Sequence, residues 1–161
     1  MKNIHSLLST PATSYEDAKI AIKSNPSKIN SFDARGRYPL HKAARIGRTD
    51  IANLLIVWGA NPNVRDNRGF TPLHLAVWAG HDQTVKLLLE NNALADTTED
   101  FGRTPLHLLA LSPHQDAALT IAEQLLVYGS YPKKKDQFGF TPIDYLKITQ
   151  RNELMKFITS F

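Results

Sequence analysis

The chain has 161 residues, of which 42% are hydrophobic and 21% charged, the balance of a soluble domain that builds its own core rather than of a disordered chain. Cysteine is absent, which excludes disulfides, thiol catalysis and cysteine-ligated zinc. No apolar run approaches the ~20 residues of a membrane span, and the apolar stretch near the N-terminus is too short for a secretory leader. The net charge is +4, and its clearest local source is the run Lys133 to Lys135, read as a solvated loop. A cytoplasmic or nuclear location follows as the expectation, with delivery into a host cell as an effector compatible with it.

Residues 1–31 carry only a faint pattern. "AIKSNPSKINSF" stands one period before "LLIVWGANPNVR" and puts Ala21 and Ile22 where a leucine pair stands later. The pattern becomes explicit with "DARGRYPLHKAA" from Asp33. It returns as "DNRGFTPLHLAV" from Asp66, "EDFGRTPLHLLA" from Glu99 and "DQFGFTPIDYLK" from Asp136. The prolines are Pro39, Pro72, Pro105 and Pro142, spaced by 33, 33 and 37. Leucine pairs recur in step at Leu54-Leu55, Leu87-Leu88 and Leu125-Leu126, followed by helix stops at Gly59, Asn92 and Gly129. Two motifs sharing one period define a repeat.

The unit starting at Asp66 shows why the repeat should be two helices. Thr71 suits a helix N-cap, and Pro72 suits the first helical position, where its missing N–H costs nothing. His74 then stands third, placed to reach back to the cap as the partner in a capping box does. Leu73, Ala76 and Val77 share one helical face, and Gly80 ends that helix. Asp82 is expected to cap a second helix over "QTVKLLLEN", closed by Asn92 in the left-handed conformation. The next unit is four residues longer, close to one helical turn, and Ala117, Ala118, Ile121, Ala122, Leu125 and Leu126 keep one helical phase. The expectation is a second helix about one turn longer, entered near Pro113 to Asp116. A longer loop is the alternative. In the first explicit unit Tyr38 replaces the capping threonine, which should weaken that cap by up to ~1 kcal/mol. In the last, Asp144 replaces the histidine, and a carboxylate suits the positive helix end.

The Thr-Pro-Leu-His phrase at this period resembles the ankyrin repeat. The resemblance implies an all-α, ankyrin-repeat solenoid of stacked helix–turn–helix units with short hairpin loops, forming a single domain over 1–161. Residues 1–31 would be a degenerate N-terminal capping repeat, 32–64, 65–97 and 98–134 full repeats, and 135–161 a C-terminal capping repeat. His81 also fits the family pattern, in the turn between helices, whereas His5 and His114 have no partner that the sequence identifies.

The resemblance also implies where a partner would bind: the hairpin tips beside the Asp-x-x-Gly phrase and the exposed end of each first helix. Carried onto this chain, these positions are Ala34, Arg35, Arg37, Arg45 and Ile46 in the first full repeat. The second supplies Arg65, Asn67, Arg68, Phe70, Trp78 and Ala79. The third supplies Asp100, Phe101, Arg103, Leu111 and Ser112, and the fourth Gln137, Phe138 and Phe140. Arginine and aromatic residues are enriched, as at binding hot spots, and suggest a protein partner with acidic and apolar features. The expected function is therefore a non-catalytic, monomeric protein-binding module, serving as inhibitor, adaptor or effector.

Other chemistries fit less well. His41, His74 and His107 occupy equivalent positions in successive units. Stacked helices lie roughly 8–10 Å apart, too far for three such histidines to converge at about 2 Å on one metal. They read as structural capping residues with Thr71, so no metal or cofactor is expected. Asp33, Asp66, Glu99 and Asp136 follow the period and read as turn residues rather than acid–base catalysts. No serine elbow, P-loop or dinucleotide fingerprint is present. Nucleic-acid binding through the hairpin arginines and Lys133 to Lys135 is the alternative, disfavoured by the interrupting Asp66, Asp100 and Asp136. Asn63, in "GANPNV", matches a position that asparaginyl hydroxylases modify in some ankyrin repeats.

Overall fold

The computed structural model of the protein describes residues 12–161. Residues 1–11, the first part of the expected N-terminal cap, lie outside the described residues. The described chain forms α1 (Tyr15–Ser24), a 3-10 turn (Pro26–Lys28), α2 (Pro39–Ile46), α3 (Thr49–Val57), α4 (Pro72–Trp78) and α5 (Asp82–Glu90). It continues through α6 (Pro105–Leu111), α7 (Ala118–Val127), α8 (Pro142–Ile148) and α9 (Asn152–Ser160). No strand occurs among the described residues.

The even-numbered helices α2, α4, α6 and α8 pack on one another in series and form an inner row. The odd-numbered helices α1, α3, α5, α7 and α9 do the same in an outer row, and from α2–α3 onward each inner helix packs on the outer helix that follows it. Between the rows runs one apolar core, with Leu40, Leu55, Leu73, Leu88, Leu109, Ile121 and Leu125 among its fully buried side chains. No unit could bury these faces alone, so the stack is what supplies the hydrophobic stabilisation.

The inner helices α4, α6 and α8 begin the same way. Thr71 Oγ1 accepts from the His74 N–H at 3.4 Å, while His74 Nδ1 accepts from the Thr71 N–H at 3.2 Å. Thr104 and His107 repeat the arrangement, with the return bond at 3.0 Å. In the last unit the Asp144 carboxylate takes the histidine's part, accepting from the Thr141 N–H at 3.0 Å and its hydroxyl at 2.7 Å. At α2 the Tyr38 N–H donates to His41 Nδ1, but no side-chain cap bond forms from Tyr38. Each inner helix except α6 ends by reversing into the left-handed region at Gly47, Gly80 or Gln150, whereas α6 runs into the extended Ser112.

Two expectations about the outer helices are corrected. Asp82 is the first residue of α5 rather than its cap; His81 holds the cap position and makes no side-chain cap bond. Asp82 still suits the positive end of the helix. The four extra residues of the third unit also do not lengthen the outer helix by a turn. Helix α7 starts at Ala118 and has 10 residues against 9 in α3 and α5, so the insertion goes mainly into the loop. Pro113 fixes how α6 ends, because Ser112 before it is held extended at ψ 138° and helical geometry is disfavoured there. The Ser112 hydroxyl donates to the Trp78 carbonyl and accepts from the His114 N–H, which pins the loop to the preceding unit.

His114 has a structural neighbour after all. A Cβ on Gly80 would lie 2.7 Å from the His114 Cβ, just as one on Gly47 would lie 2.6 Å from the His81 ring. His114 stands 33 residues after His81 and fills the same place, so the extra residues enter after it rather than before.

Candidate binding groove

The four-residue turns between the units are built alike. One carboxylate oxygen accepts two backbone N–H groups: Asp33 from Arg35 and Arg37, and Asp66 from Arg68 and Phe70. Glu99 does the same for Phe101 and Arg103, and Asp136 for Phe138 and Phe140. Neighbouring turns are then tied directly by backbone bonds from Asn67 to Arg35, Asp100 to Arg68 and Gln137 to Phe101. Gly36 must be glycine for this approach, since a Cβ there would lie 2.2 Å from the Asn67 side chain. The turns therefore form a continuous hydrogen-bonded ladder.

Between this ladder and the inner helices lies a groove of about 660 Å³. Arg35, Arg37, Arg68, Phe70 and Arg103 line it from the turns, and Arg45 and Trp78 from the ends of α2 and α4. Leu75 and Leu108 form the apolar floor. Trp78 is 41% exposed, and the Arg68 guanidinium stands over the Phe70 ring, 5.6 Å from its centroid.

Ala34 and Asn67 also line the groove, whereas Phe101, Leu111, Phe138 and Phe140 lie outside its lining. Phe101 and Phe138 stack on each other with centroids 6.1 Å apart, and Arg103 covers the Phe101 ring at 5.1 Å. Phe140 packs against Tyr145 at 5.6 Å, and Leu111, at the end of α6, is half-buried. Leu75 and Leu108 are groove residues that the sequence reading did not single out. Their signal was available, because each directly follows the histidine of its unit and the two are one period apart.

The arginines differ in what they touch. Arg103 binds Glu99 through Nε at 3.1 Å and Nη2 at 3.4 Å, and the Glu99 side chain is fully buried. Arg37 Nε lies 3.6 Å from Asp33, which Lys42 also meets at 3.3 Å. Burial works against the Asp33 carboxylate's charge. The N–H donors of Arg37 and Arg35, together with Lys42, overcome it and hold the group down at about 2. In the lysine run, Lys134 is committed to Asp96, with Nζ 2.6 Å from its carboxylate.

The histidines sit under the ladder. His41 Nε2 lies 2.8 Å from the Phe70 carbonyl, His74 Nε2 3.2 Å from that of Arg103, and His107 Nε2 3.1 Å from that of Phe140. Because Nδ1 accepts from a backbone N–H, the proton of each neutral ring is on Nε2, which donates to the next unit's carbonyl. Burial lowers the pKa of all three, most clearly for His74, which falls to about 4. Among the described residues no group of three His, Asp or Glu side chains could hold a metal ion, and no helix is long and apolar enough to cross a membrane. Asn63 also bridges units: its amide donates to the Asn92 carbonyl and its oxygen accepts from the Leu94 N–H, both at 2.9 Å.

Two rows of stacked helices, joined by projecting turns that share a ladder and leave a groove on the inner side, define a helical repeat solenoid. A family model for ankyrin repeats, in three copies, matches residues 11–98, and the chain belongs to that family. The same turn, helix start and helix pair continue beyond the matched span to α9. Ankyrin repeats are in general protein–protein interaction modules and are typically non-catalytic. Comparison with curated proteins returns no match.

Proposed function

We propose that the protein is a non-catalytic binding module that captures another protein along its inner groove and turn tips, as inhibitor, adaptor or effector. It acts as a monomer in the cytoplasm or nucleus, or inside a host cell that receives it. The observation that carries this reading is the convergence of Phe70, Trp78 and exposed arginines around the Leu75 and Leu108 floor. Apolar anchors framed by guanidinium groups are the side-chain chemistry of protein hot spots. Phe101, Phe138, Phe140 and Leu111 would extend contact toward the C-terminal units.

Affinity capture with quantitative mass spectrometry tests this, using Phe70→Ala/Trp78→Ala as the control bait. Neither side chain is buried, so the double variant should keep its melting temperature and lose the specific partner. A partner retained equally by both baits would remove the groove from consideration.

A further inference from the structure

We propose that the groove takes an extended acidic segment of the partner, with carboxylates about three residues apart flanking one large apolar side chain. This rests on the protein-binding reading of the same groove and adds the chemistry of the occupant. Sorting the groove's arginines by what they already touch leads to it. Arg103 and Arg37 face Glu99 and Asp33, so their charges are met within the chain. Arg35, Arg45 and Arg68 are exposed, and among the described residues no carboxylate stands within ion-pair distance of them. Asp66, the one acid in the lining, already accepts from the backbone N–H groups of Arg68 and Phe70. The groove thus presents three guanidinium groups outside any ion pair among the described residues, against the one lining carboxylate of Asp66, above an apolar floor.

Guanidinium binds carboxylate with two parallel hydrogen bonds, and the Leu75 and Leu108 floor beside them gives an apolar side chain a place to bury. An aliphatic floor suits a leucine or aromatic side chain of a peptide. It offers nucleobases no hydrogen-bonding edge. The geometry also sets a spacing. Arg35 and Arg68 are equivalent positions one unit apart, and adjacent helices pack roughly 8–10 Å from each other. A peptide in the extended polyproline II conformation advances ~3.1 Å per residue and returns to the same face every third residue, so carboxylates serving both arginines stand about three residues apart.

Selection of a random peptide library displayed on phage tests this, run in parallel on the parent chain and on Arg35→Glu/Arg45→Glu/Arg68→Glu. The parent should enrich peptides with Asp or Glu pairs three apart and Leu, Phe or Trp between them. A synthetic peptide of the enriched sequence should bind the charge-reversed chain roughly tenfold or more weakly, from three weak exposed pairs turned repulsive. If reversal unfolds the chain, Arg→Gln at the same three positions gives the same comparison. Enrichment of neutral or basic peptides that are lost on Trp78→Ala would overturn the acidic occupant while leaving protein binding intact. Enrichment of no peptide would overturn the extended acidic occupant and leave protein binding to the affinity capture above, whereas duplex DNA or single-stranded RNA bound with steep salt dependence instead would overturn both.

Discussion

His74 joins two units through one neutral ring: Nδ1 accepts from the Thr71 N–H at the start of its own helix, and Nε2 lies 3.2 Å from the Arg103 carbonyl in the next turn. Protonation would place a second N–H against the Thr71 donor and a charge in a fully buried site. The histidine is therefore a fastener whose strength depends on its staying neutral.

Stability should consequently fall as pH is lowered from about 6.5 toward 4. The sign follows from linkage. The His74 pKa is depressed from 6.5 to about 4 by burial, so in that window the unfolded chain binds more protons than the folded one. His41 and His107 shift in the same direction. For His74 alone the full loss is on the order of 3 kcal/mol, reached once pH is below both values. Urea denaturation at a series of pH values checks this; a midpoint flat across the window would contradict the neutral tautomer.

Replacing His74 by Ala removes both bonds at once and leaves the Thr71 N–H and Arg103 carbonyl without their partner. A loss of about 1–3 kcal/mol is expected from the unsatisfied buried groups, with a larger one if a cavity persists. Leu88→Ala, in the fully buried core of α5, should cost ~2–5 kcal/mol. Thermal unfolding followed by circular dichroism measures both.

The helix rows were legible in the sequence because the residues that make them are the residues that repeat. Thr71-Pro72-Leu73-His74 encodes a helix start locally, and the leucine pairs mark the buried face. The inserted residues were misplaced for a physical reason. Helical phase over Ala117 to Leu126 says which face is buried but not where the helix begins, whereas the 33-residue step from His81 to His114 locates the insertion. Leu75 and Leu108 follow the period and so were legible as equivalent positions, but that they floor a groove depends on how the turns project over the inner helices. The division of arginines into paired and unpaired was equally out of reach, since it depends on how Arg103 reaches Glu99 across its own turn.

The loop assignment has its own test. Deleting residues 115–118 would let Leu119 follow His114 as Asp82 follows His81, restoring the 33-residue step. Because most of the removed segment is loop and shortening a loop changes closure entropy only slightly, the cost should stay below that of Leu88→Ala. A deletion that unfolds the C-terminal helices would mean that the segment carries packing the loop reading does not give it.

Arg103 and Arg68 occupy the same groove yet should respond oppositely to substitution. Arg103→Ala strips the partner from a fully buried Glu99 carboxylate, which keeps only its two backbone donors. Arg103 is itself partly exposed, so the loss should be about 1–3 kcal/mol rather than the larger figure for a wholly buried pair. Arg68→Ala gives up only an exposed contact over Phe70 and should stay within about 0.5 kcal/mol of the parent. Binding should invert the order. Arg68→Ala should weaken capture of an acidic peptide at unchanged melting temperature, and Arg103→Ala should lower the melting temperature first. Measuring both variants by calorimetry and by peptide titration separates a residue that holds the groove's shape from one that meets its occupant.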